Sequence, residues 1–579
     1  MIGTLLIRDS SMVDKQKPSE KGNVFIGLGL AAASFGLLWW TRTLTQYGDS
    51  LNYLLAARSG QDLFHPHHLL YNAIVRVFYL ALRAVDRGID VITAAQLHNV
   101  LWAVVAVMAV YFIVRRISGA RGVAVLAAAG LLVAQGFWEY ATQTQIYVPA
   151  LACLAVTVLL IVRRRGNHFR FGDALGAGLV FALAVFYHQT NVLFAIPLAV
   201  RLLGLYGRAA WKSLAIVLAA AGLIVGSAYI AAYAIDGGSW KDAGFFRFVV
   251  AYTSHPYPSW GEWRNVTLHG AGHVLHSQLL NIVPVSSKFK YPETAFFVIL
   301  LAAFILLSFG RWKKRSAWAG WPAFLLVWLT VHFAFFLWWS PDEKNMFTIS
   351  LLPLVLLAAN GLDALAARTA SRRLRGIGAA ALAALIPAAA AANYLGLVGP
   401  LRATRGAEFE EARRLDACVP AQDYILTRWG IQQNLAFHFN RRLLLEADIA
   451  PLVFCRNQDL PRKYEAVSAA PVTISMDFLD PGVTPFPFNG YERPDAWKRY
   501  LGWLLGFKSG GEGSSASCRS FETLACGGVA YLRIALDRIQ LAGWTDLLDR
   551  LDGLFDVRFG KRGLFREWRR LAGNKASFP

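Results

Sequence analysis

Long apolar runs dominate this chain and restrict the folds open to it. Runs of about 20 mainly apolar residues, the length that crosses ~30 Å of hydrocarbon as a helix, recur between residues 23 and 398. No charge-free run of this kind occurs after residue 400. Hydrophobic residues make up 56% of the chain, which excludes an ordinary soluble globular protein. The sequence therefore predicts a polytopic α-helical membrane protein with a soluble C-terminal region.

The first apolar run, Asn23 to Trp40, follows a basic segment with lysines at positions 15, 17 and 21. A cleaved signal peptide has a shorter apolar region and a small-residue cleavage site close behind it. We therefore expect a retained signal anchor, with residues 1–22 in the cytoplasm.

Basic clusters between the apolar runs set the orientation of the predicted spans. The clusters lie at 115–121, 163–170, 201–212, 311–315 and 368–375. Cytoplasmic loops carry an excess of Lys and Arg, so placing all the clusters inside predicts about eleven transmembrane helices. The predicted spans are 23–41, 95–114, 123–139, 146–162, 174–187, 191–206, 213–235, 294–310, 318–339, 346–362 and 376–398.

One further apolar run, Leu69 to Val85, fits an amphipathic helix lying in the membrane interface. Arg76 and Arg83 are seven residues apart in this run and fall nearly on one helical face. A twelve-span alternative, in which the run crosses, would place the basic cluster at Arg115 or Arg163 outside. The eleven-span topology leaves 42–94, 138–147, 236–293, 340–345 and 399–579 on the outer side.

The predicted organisation has three parts: a cytoplasmic N-terminus (1–22), a transmembrane domain (23–398) with outer loops 42–94 and 236–293, and an extracytoplasmic domain (399–579). We expect a multi-pass protein of the inner (plasma) membrane. The tail, with ~180 residues, is long enough to bury its own core. Its pattern predicts a small α/β domain, with helices near 408–416 and 432–439, strands near 423–427 and 471–476, and a flexible Gly/Ser loop at 509–517.

The cysteines and the net charge add two further expectations. Of the five cysteines, Cys153 lies in a predicted span, and the others, Cys418, Cys455, Cys518 and Cys526, lie in the tail. The simplest disulfides join Cys518 to Cys526 and Cys418 to Cys455, and four free thiols are the alternative. The net charge of +21 is concentrated in short loops beside the spans, where it contacts anionic lipid headgroups. We therefore expect membrane lipids, and no nucleic acid, as partners.

An acid and three histidines follow the first span on its predicted outer side. Asp49 stands in a Gly-Asp-Ser turn at 48–50, and a His-Pro-His-His segment occupies 65–68. An ionisable cluster beside a bilayer is costly to leave unpaired and indicates a site for a polar substrate. Asp49 also fits a helix N-cap, an interpretation that does not exclude catalysis.

These motifs resemble those of the GT-C glycosyltransferases, in particular the protein O-mannosyltransferase-like branch that uses polyprenyl-phosphate-linked sugars. In that branch a Gly-Asp-Ser-type turn is followed by a His-Pro-Pro-Gly segment; here His67-His68 replaces Pro-Gly. The outer loop from Trp138 to Tyr147 looks like the acid-containing loop of those enzymes. The multi-span core and the outer tail extend the likeness along most of the chain.

The resemblance implies transfer of a sugar from a polyprenyl-phosphate-linked donor to a protein, lipid or glycan acceptor on the extracytoplasmic face, with inversion at the anomeric carbon. Asp49 would be the general base, made more basic by partial desolvation. The departing phosphate needs cationic or hydrogen-bonding groups, for which Lys344 and Lys288 are candidates. A snorkelling Lys344 paired with Asp342 or Glu343 is the alternative.

Further candidate substrate-binding residues are His65, His67, His68, Glu139, Tyr147 and His255. A solvated loop or a buried span-end acid would also explain them. Histidines bind metals, but the spacing of the outer histidines is not diagnostic. The sequence therefore requires no cofactor, and it is compatible with a divalent metal ion.

Two other function classes share the apolar spans: a lipid or glycan transporter or flippase, and a non-catalytic envelope assembly protein. Transporters usually show internal repeats and charged or broken helices near the midplane. This chain shows no repeat, and its charges lie at span ends. The residues specify neither the sugar (hexose or pentose) nor the polyprenol nor the acceptor class.

Overall fold

The computed structural model describes residues 20–162, 171–206, 210–235, 244–250, 261, 263–284, 320–368, 372–427, 430–443, 472–475, 518–526 and 529–539, with isolated helical positions between 295 and 306. The chain forms two compact units. The first contains residues 1–46, 56–255 and 260–404, and the second contains 47–55, 256–259 and 405–579.

The first unit is helical, and it shares helix α2 with the second unit. Its helices are α1 (Glu20–Trp40), α2 (Gly48–Ser59), α3 (Tyr71–Val85), α4 (Val91–Ser118), α5 (Arg121–Val133), α6 (Gln135–Thr142), α7 (Tyr147–Val162), α8 (Phe171–Tyr187), α9 (Ala195–Tyr206), α10 (Ala210–Ile235), α11 (Gly244–Val249), α12 (Leu268–Leu280), α13 (Trp321–Trp339), α14 (Leu351–Arg368), α15 (Arg372–Asn393) and α16 (Gly399–Ala403). Short 3-10 turns lie at Pro66–His68, Gln189–Phe194, Trp263–Asn265 and Lys344–Ser350, and a π turn lies at Tyr394–Val398.

Within the described residues, six helices are long and apolar enough to cross a membrane, or seven if the bent pair α5–α6 is one span. The six are Gly22–Trp40, Val91–Ser118, Ala210–Ile235, Trp321–Trp339, Lys344–Ala367 and Ala384–Cys418. Helices α7 and α8 have 16 and 17 residues. At ~1.5 Å per residue they are about 25 Å long, shorter than a ~30 Å hydrocarbon core. Most of the predicted span 294–310 lies outside the described residues, so the count of eleven stays a prediction.

Helix α4 lies at the centre of the first unit. It packs against α1, α3, α5, α6 and α7. Its buried face is mostly apolar, yet Gln96, His98 and Asn99 are buried on it as well. Burying a polar side chain is costly unless it is hydrogen-bonded, so these three residues need specific partners.

Helix α3 forms where the amphipathic run was predicted. Tyr71 and Val75 are buried, whereas Val77 and Leu80 are exposed. Arg76 donates through Nη1 to the carbonyl oxygens of residues 57 and 58, at 3.0 and 3.2 Å. The helix and its amphipathic character are confirmed; its place in the membrane interface stays a prediction.

The second unit contains a four-stranded sheet in the order β1-β2-β4-β3. Strand β1 is parallel to β2, and the other pairs are antiparallel. The predicted helices near 408–416 and 432–439 and both predicted strands are confirmed. The extracytoplasmic location of this region stays a prediction, and the loop at 509–517 lies outside the described residues. The elements are α17 (Ala407–Cys418), α18 (Ile431–Phe439), β1 (Tyr424–Leu426), β2 (Val472–Ser475), β3 (Cys518–Cys526) and β4 (Val529–Ile539).

The predicted disulfide between Cys518 and Cys526 is wrong, because the structure joins Cys418 to Cys526. Cys518 and Cys526 are the two ends of strand β3, roughly 26 Å apart at ~3.3 Å per residue. A disulfide requires a Cα separation of about 4.4–6.8 Å. The Cα atoms of Cys418 and Cys526 are 5.9 Å apart. Since Cys526 is already bonded, the companion pairing of Cys418 with Cys455 is wrong too; Cys455 itself lies outside the described residues.

Candidate active site

The loop that resembles an acid-containing outer loop is buried throughout. Every residue from 131 to 150 is buried, including helix α6 and the connection to α7. Connecting segments usually run over the surface, where water satisfies their backbone groups. A buried connection needs partners within the protein instead, and helix α4 supplies them.

Two amides of α4 hold this connection in place. Asn99 donates through Nδ2 to the carbonyl oxygen of Gln143 at 2.8 Å. Gln96 donates through Nε2 to the carbonyl oxygens of Thr142 and Thr43, at 2.9 and 2.8 Å. The polar residues buried in an apolar helix are therefore satisfied by fixing the backbone beside Glu139.

Lys344 and Glu139 form a shielded ion pair. Lys344 Nζ lies 2.6 Å from Glu139 Oε2, with side-chain exposures of 22% and 2%. With its amide oriented to satisfy both neighbours, Gln135 accepts from Lys344 Nζ through Oε1 at 3.1 Å and donates to the Val283 carbonyl at 3.2 Å. Lys344 thus pairs with Glu139 and not, as the alternative interpretation had it, with Asp342 or Glu343.

The ammonium of Lys344 is fixed but not saturated. It has three N–H donors, and among the described residues Glu139 and Gln135 accept from two of them. The ring of Tyr140 lies 5.8 Å from Nζ. Asn281 donates through Nδ2 to the Lys344 carbonyl at 2.8 Å and so anchors the backbone. One donor of a positioned cation is therefore available to an incoming oxyanion.

Helix α6 approaches the residue after α12 very closely. The Gly136 N–H donates to the Asn281 carbonyl at 2.9 Å. A Cβ at Gly136 would lie 1.9 Å from Asn281 Oδ1. Only glycine fits this contact, which holds the Glu139 helix beside the anchor of Lys344.

The His-Pro-His-His segment forms a 3-10 turn, Pro66–His68, capped by His65. His65 Nδ1 accepts from the His67 N–H at 3.4 Å. The rings of His65 and His68 stack, with centroids 4.3 Å apart. The Tyr229 hydroxyl of α10 donates to the Pro66 carbonyl. The turn therefore presents a compact group of imidazoles.

These imidazoles are neutral near physiological pH. Burial lowers the pKa of His65 to about 4. Burial, followed by the charges of neighbouring histidines, holds the pKa values of His67 and His68 well below the ordinary value. A neutral imidazole offers one donor and one acceptor. The segment is suited to bind hydroxyl groups, and Lys344 is suited to bind an anion.

A row of rings leads from the ion pair to the histidines. The Tyr140 and Tyr147 rings are 5.6 Å apart, and those of Tyr147 and His188 are 5.5 Å apart. His188 is close enough for its charge to lower the pKa of His68. The first unit therefore brings together predicted site residues far apart in the sequence, those at 65–68, 139, 147 and 344.

Buried polar atoms also lie on the connection between α6 and α7. Both polar atoms of the Gln143 side chain, and the Thr144 hydroxyl, have no hydrogen-bond partner in the described part of the chain. Folded proteins seldom leave such groups unsatisfied. A water molecule or a polar ligand would account for them.

Asp49 lies in the first turn of α2, in the part of that helix that belongs to the second unit. The helix begins at Gly48, so Asp49 is a helical residue and not the N-cap. Its side chain is largely shielded, though not fully. Burial raises the pKa of Asp49 to about 6. The carboxylate is therefore ionised at neutral pH and more basic than an ordinary aspartate.

Two predicted substrate-binding residues, His255 and Lys288, lie outside the described residues and stay predictions. Across the described ranges, no three side chains of His, Cys, Asp or Glu converge as a metal site would require.

Comparison with known proteins agrees with this architecture. The family model described as dolichyl-phosphate-mannose-protein mannosyltransferase matches residues 69–231. ArnT from Cupriavidus metallidurans, solved with bound undecaprenyl phosphate, has a similar fold: TM-score 0.55 and 13% identity, covering 89% of this chain and 98% of ArnT. The resemblance to GT-C membrane glycosyltransferases is confirmed. The apo structure of ArnT has the same TM-score, sequence identity and coverage as the structure with undecaprenyl phosphate. An oligosaccharyltransferase from Archaeoglobus fulgidus has TM-score 0.48 and 16% identity, over 78% of this chain and 68% of its own. No curated protein sequence matches this chain.

Four residues that shape this candidate site were missed in the sequence analysis: Gln96, Asn99, Gln135 and Asn281. The first three carried a signal, because an amide within an apolar run needs a specific partner. Asn281 stands in a short apolar stretch of the long predicted outer loop, Leu279 to Val285, which was not analysed as a span. Its role depends on contacts with residues more than 60 positions away.

Proposed function

We propose that this protein is a GT-C membrane glycosyltransferase that moves a sugar from a polyprenyl-phosphate-linked donor to a hydroxyl acceptor at the extracytoplasmic face. The observation that carries the proposal is the ammonium of Lys344, which is held beside the buried loop by Glu139 and Gln135 and has one N–H without an acceptor among the described residues. The match to the mannosyltransferase family over 69–231 and the likeness to ArnT, solved with undecaprenyl phosphate, support this donor class.

Lys344 meets the phosphate of the donor. Its third N–H is able to donate to a phosphate oxygen, and charge-assisted hydrogen bonds of this kind contribute roughly 1.5–3 kcal/mol. The neutral histidines at 65–68 supply no competing charge. The donor phosphate is therefore directed to Lys344, and stabilising the departing phosphate lowers the barrier to transfer.

Asp49 acts as the general base. It takes the proton of the acceptor hydroxyl while that oxygen attacks the anomeric carbon and the bond from that carbon to the phosphate oxygen breaks, so the configuration inverts. A base works best when its pKa lies near the operating pH. The raised pKa of Asp49, about 6, supports this role.

The sugar is bound by neutral polar groups. His65 and His68 offer hydrogen bonds without charge, and Tyr147 offers a ring for stacking. The amide of Gln143, which has no hydrogen-bond partner among the described residues, is satisfied by a sugar hydroxyl. The same groups fit a hexose or a pentose.

The donor site is tested by binding of undecaprenyl phosphate to the purified chain in detergent. Lys344→Met is combined with Glu139→Gln, because a lone buried Glu139 charge would destabilise the fold. We expect affinity to fall about tenfold or more, as the loss of one charge-assisted hydrogen bond predicts. Lys212→Met, at an exposed position of α10, is the control and should bind as wild type. Equal affinities in all three proteins would refute the role of Lys344.

The chemistry is tested by transfer from radiolabelled undecaprenyl-phosphate hexoses and pentoses in proteoliposomes. Asp49→Asn should bind undecaprenyl phosphate as wild type and transfer sugar about 100–10,000-fold more slowly, the usual contribution of a general base. Wild-type rates in this variant would contradict the mechanism. Transport of the lipid without transfer by the wild type would support a carrier instead.

A further inference from the structure

Two histidines of α12 face each other at the protein surface, apart from the residues assigned to catalysis. His269 and His273 are four positions apart and so lie on one helical face. Their Nε2 atoms are 2.8 Å apart. His269 is exposed, and the side chain of His273 is 23% exposed. Both side chains therefore reach solvent.

Asp342 fixes the tautomer of His273. Its Oδ1 contacts His273 Nδ1, which places a proton on that nitrogen. The Nε2 lone pair of His273 then points towards His269 Nε2. This is the arrangement by which a carboxylate orients a metal-bound histidine, fixing the ring and increasing the basicity of the ligating nitrogen.

We propose that His269 and His273 chelate a divalent transition-metal ion such as Zn²⁺ through their Nε2 atoms, with Asp342 as the orienting carboxylate. Zinc binds histidine nitrogen at about 2.0–2.1 Å, which in a tetrahedral site separates two nitrogens by about 3.3 Å. The observed separation is about half an ångström shorter, a difference that a small ring rotation removes. The proton shared by the two Nε2 atoms moves to His269 Nδ1 when the ion binds.

The site has two protein ligands, with water in the remaining positions. This agrees with the absence of a third converging ligand among the described residues. Imidazole ligands suit zinc, copper and nickel better than magnesium or calcium, which prefer oxygen. The proposed occupant is therefore a transition metal.

The ion would stiffen the contact between α12 and the segment before Lys344. Residues 273, 277 and 281, one helical turn apart, each contact a residue between 341 and 344. His273 pairs with Asp342, Ser277 donates to the Pro341 carbonyl at 3.2 Å, and Asn281 donates to the Lys344 carbonyl at 2.8 Å. Fixing His273 therefore fixes the first of three aligned contacts.

The test is Zn²⁺ titration of the purified, tag-free full-length protein by calorimetry, with the Co²⁺ absorption spectrum as a second readout. We expect one saturable site, lost in His269→Ala and in His273→Ala. Asp342→Asn should weaken it about 10–100-fold, the usual effect of removing an orienting carboxylate. Zn²⁺ should slow backbone hydrogen exchange over residues 341–345 in the wild type but not in His269→Ala or His273→Ala.

His276→Ala, one turn further along the same helix, is the matched control and should retain the site. Undiminished binding in His269→Ala, which changes an exposed side chain and leaves the core intact, would overturn the proposal. An equal loss in His276→Ala would also overturn it, since the histidines would then bind ions without forming a site.

Discussion

Replacing Asp49 by Asn should make the protein more stable at neutral pH while strongly slowing sugar transfer. The folded state holds the Asp49 proton more tightly than the unfolded chain does, because burial raises the pKa of this carboxyl to about 6 from 3.8. Protonated Asp49 therefore contributes stability that is fully present below about pH 4 and is lost as the pH rises through about 6. Asparagine does not titrate and avoids this loss.

The size of the gain follows from the shift. The pKa of Asp49 is raised by about two units, and each unit corresponds to ~1.36 kcal/mol. The stability gained by Asp49→Asn is therefore at most about 3 kcal/mol. Asp49 lies in the first turn of α2, where the backbone N–H groups stabilise a carboxylate by roughly 0.3–1 kcal/mol. Its side chain also keeps some contact with solvent. We therefore expect Asp49→Asn to stabilise the protein by about 1–2 kcal/mol at pH 8.

The measurement is thermal unfolding of the wild type and the variant in detergent micelles between pH 4 and pH 8. The difference in melting temperature should be near zero at pH 4, grow between pH 4 and 6, and level off above. Asn52→Ala, at an exposed position of the same helix, should give a difference independent of pH. A variant less stable than the wild type at pH 8 would refute the reasoning, because Asp49 would then be stabilised as a carboxylate.

Two further predictions concern packing and covalent structure. Gly136→Ala should destabilise the protein by about 1–3 kcal/mol through overpacking against Asn281. The control is Gly122→Ala, which has open space around it and should be neutral or stabilising. Thermal unfolding of both variants measures the difference. Peptide mapping without reduction should link Cys418 to Cys526, and Cys526→Ser should lower stability by about 2–5 kcal/mol; a native disulfide elsewhere would contradict the topology.

The positions of the helices were predictable from the apolar runs, but their breaks were not. The predicted span 123–139 is two helices, α5 and α6, bent by 60°. At the break, Asn393 donates to the Val133 carbonyl at 2.6 Å, and the Gln135 N–H donates to the Ile282 carbonyl at 3.2 Å. These partners replace helical hydrogen bonds and come from distant segments. Without a proline at the break, the local sequence gave no warning of it.

Strands β3 and β4 were missed although the sequence contains a hairpin signal. Gly527 and Gly528 separate two runs rich in alternating apolar residues, a pattern typical of a two-residue turn. Recognising this strand would have excluded the bond between Cys518 and Cys526. The actual partner, Cys418, depends on how α17 packs beside the sheet, which the spacing of cysteines does not encode.

The charged residues and the unusual histidine segment of the candidate site were predictable from the sequence. The neutral amides that support them were not. Asp49, Glu139 and Lys344 stand out beside apolar runs because an unpaired charge there is expensive. The residues that make the ion pair effective are Gln135 and Asn281, whose amides fix the Lys344 amine and backbone. An amide forms a hydrogen bond with a buried partner without adding charge. The net charge of the site therefore depends only on its few ionised groups. A search for buried amides at span ends would therefore find the supports of such sites, after the charges have located them.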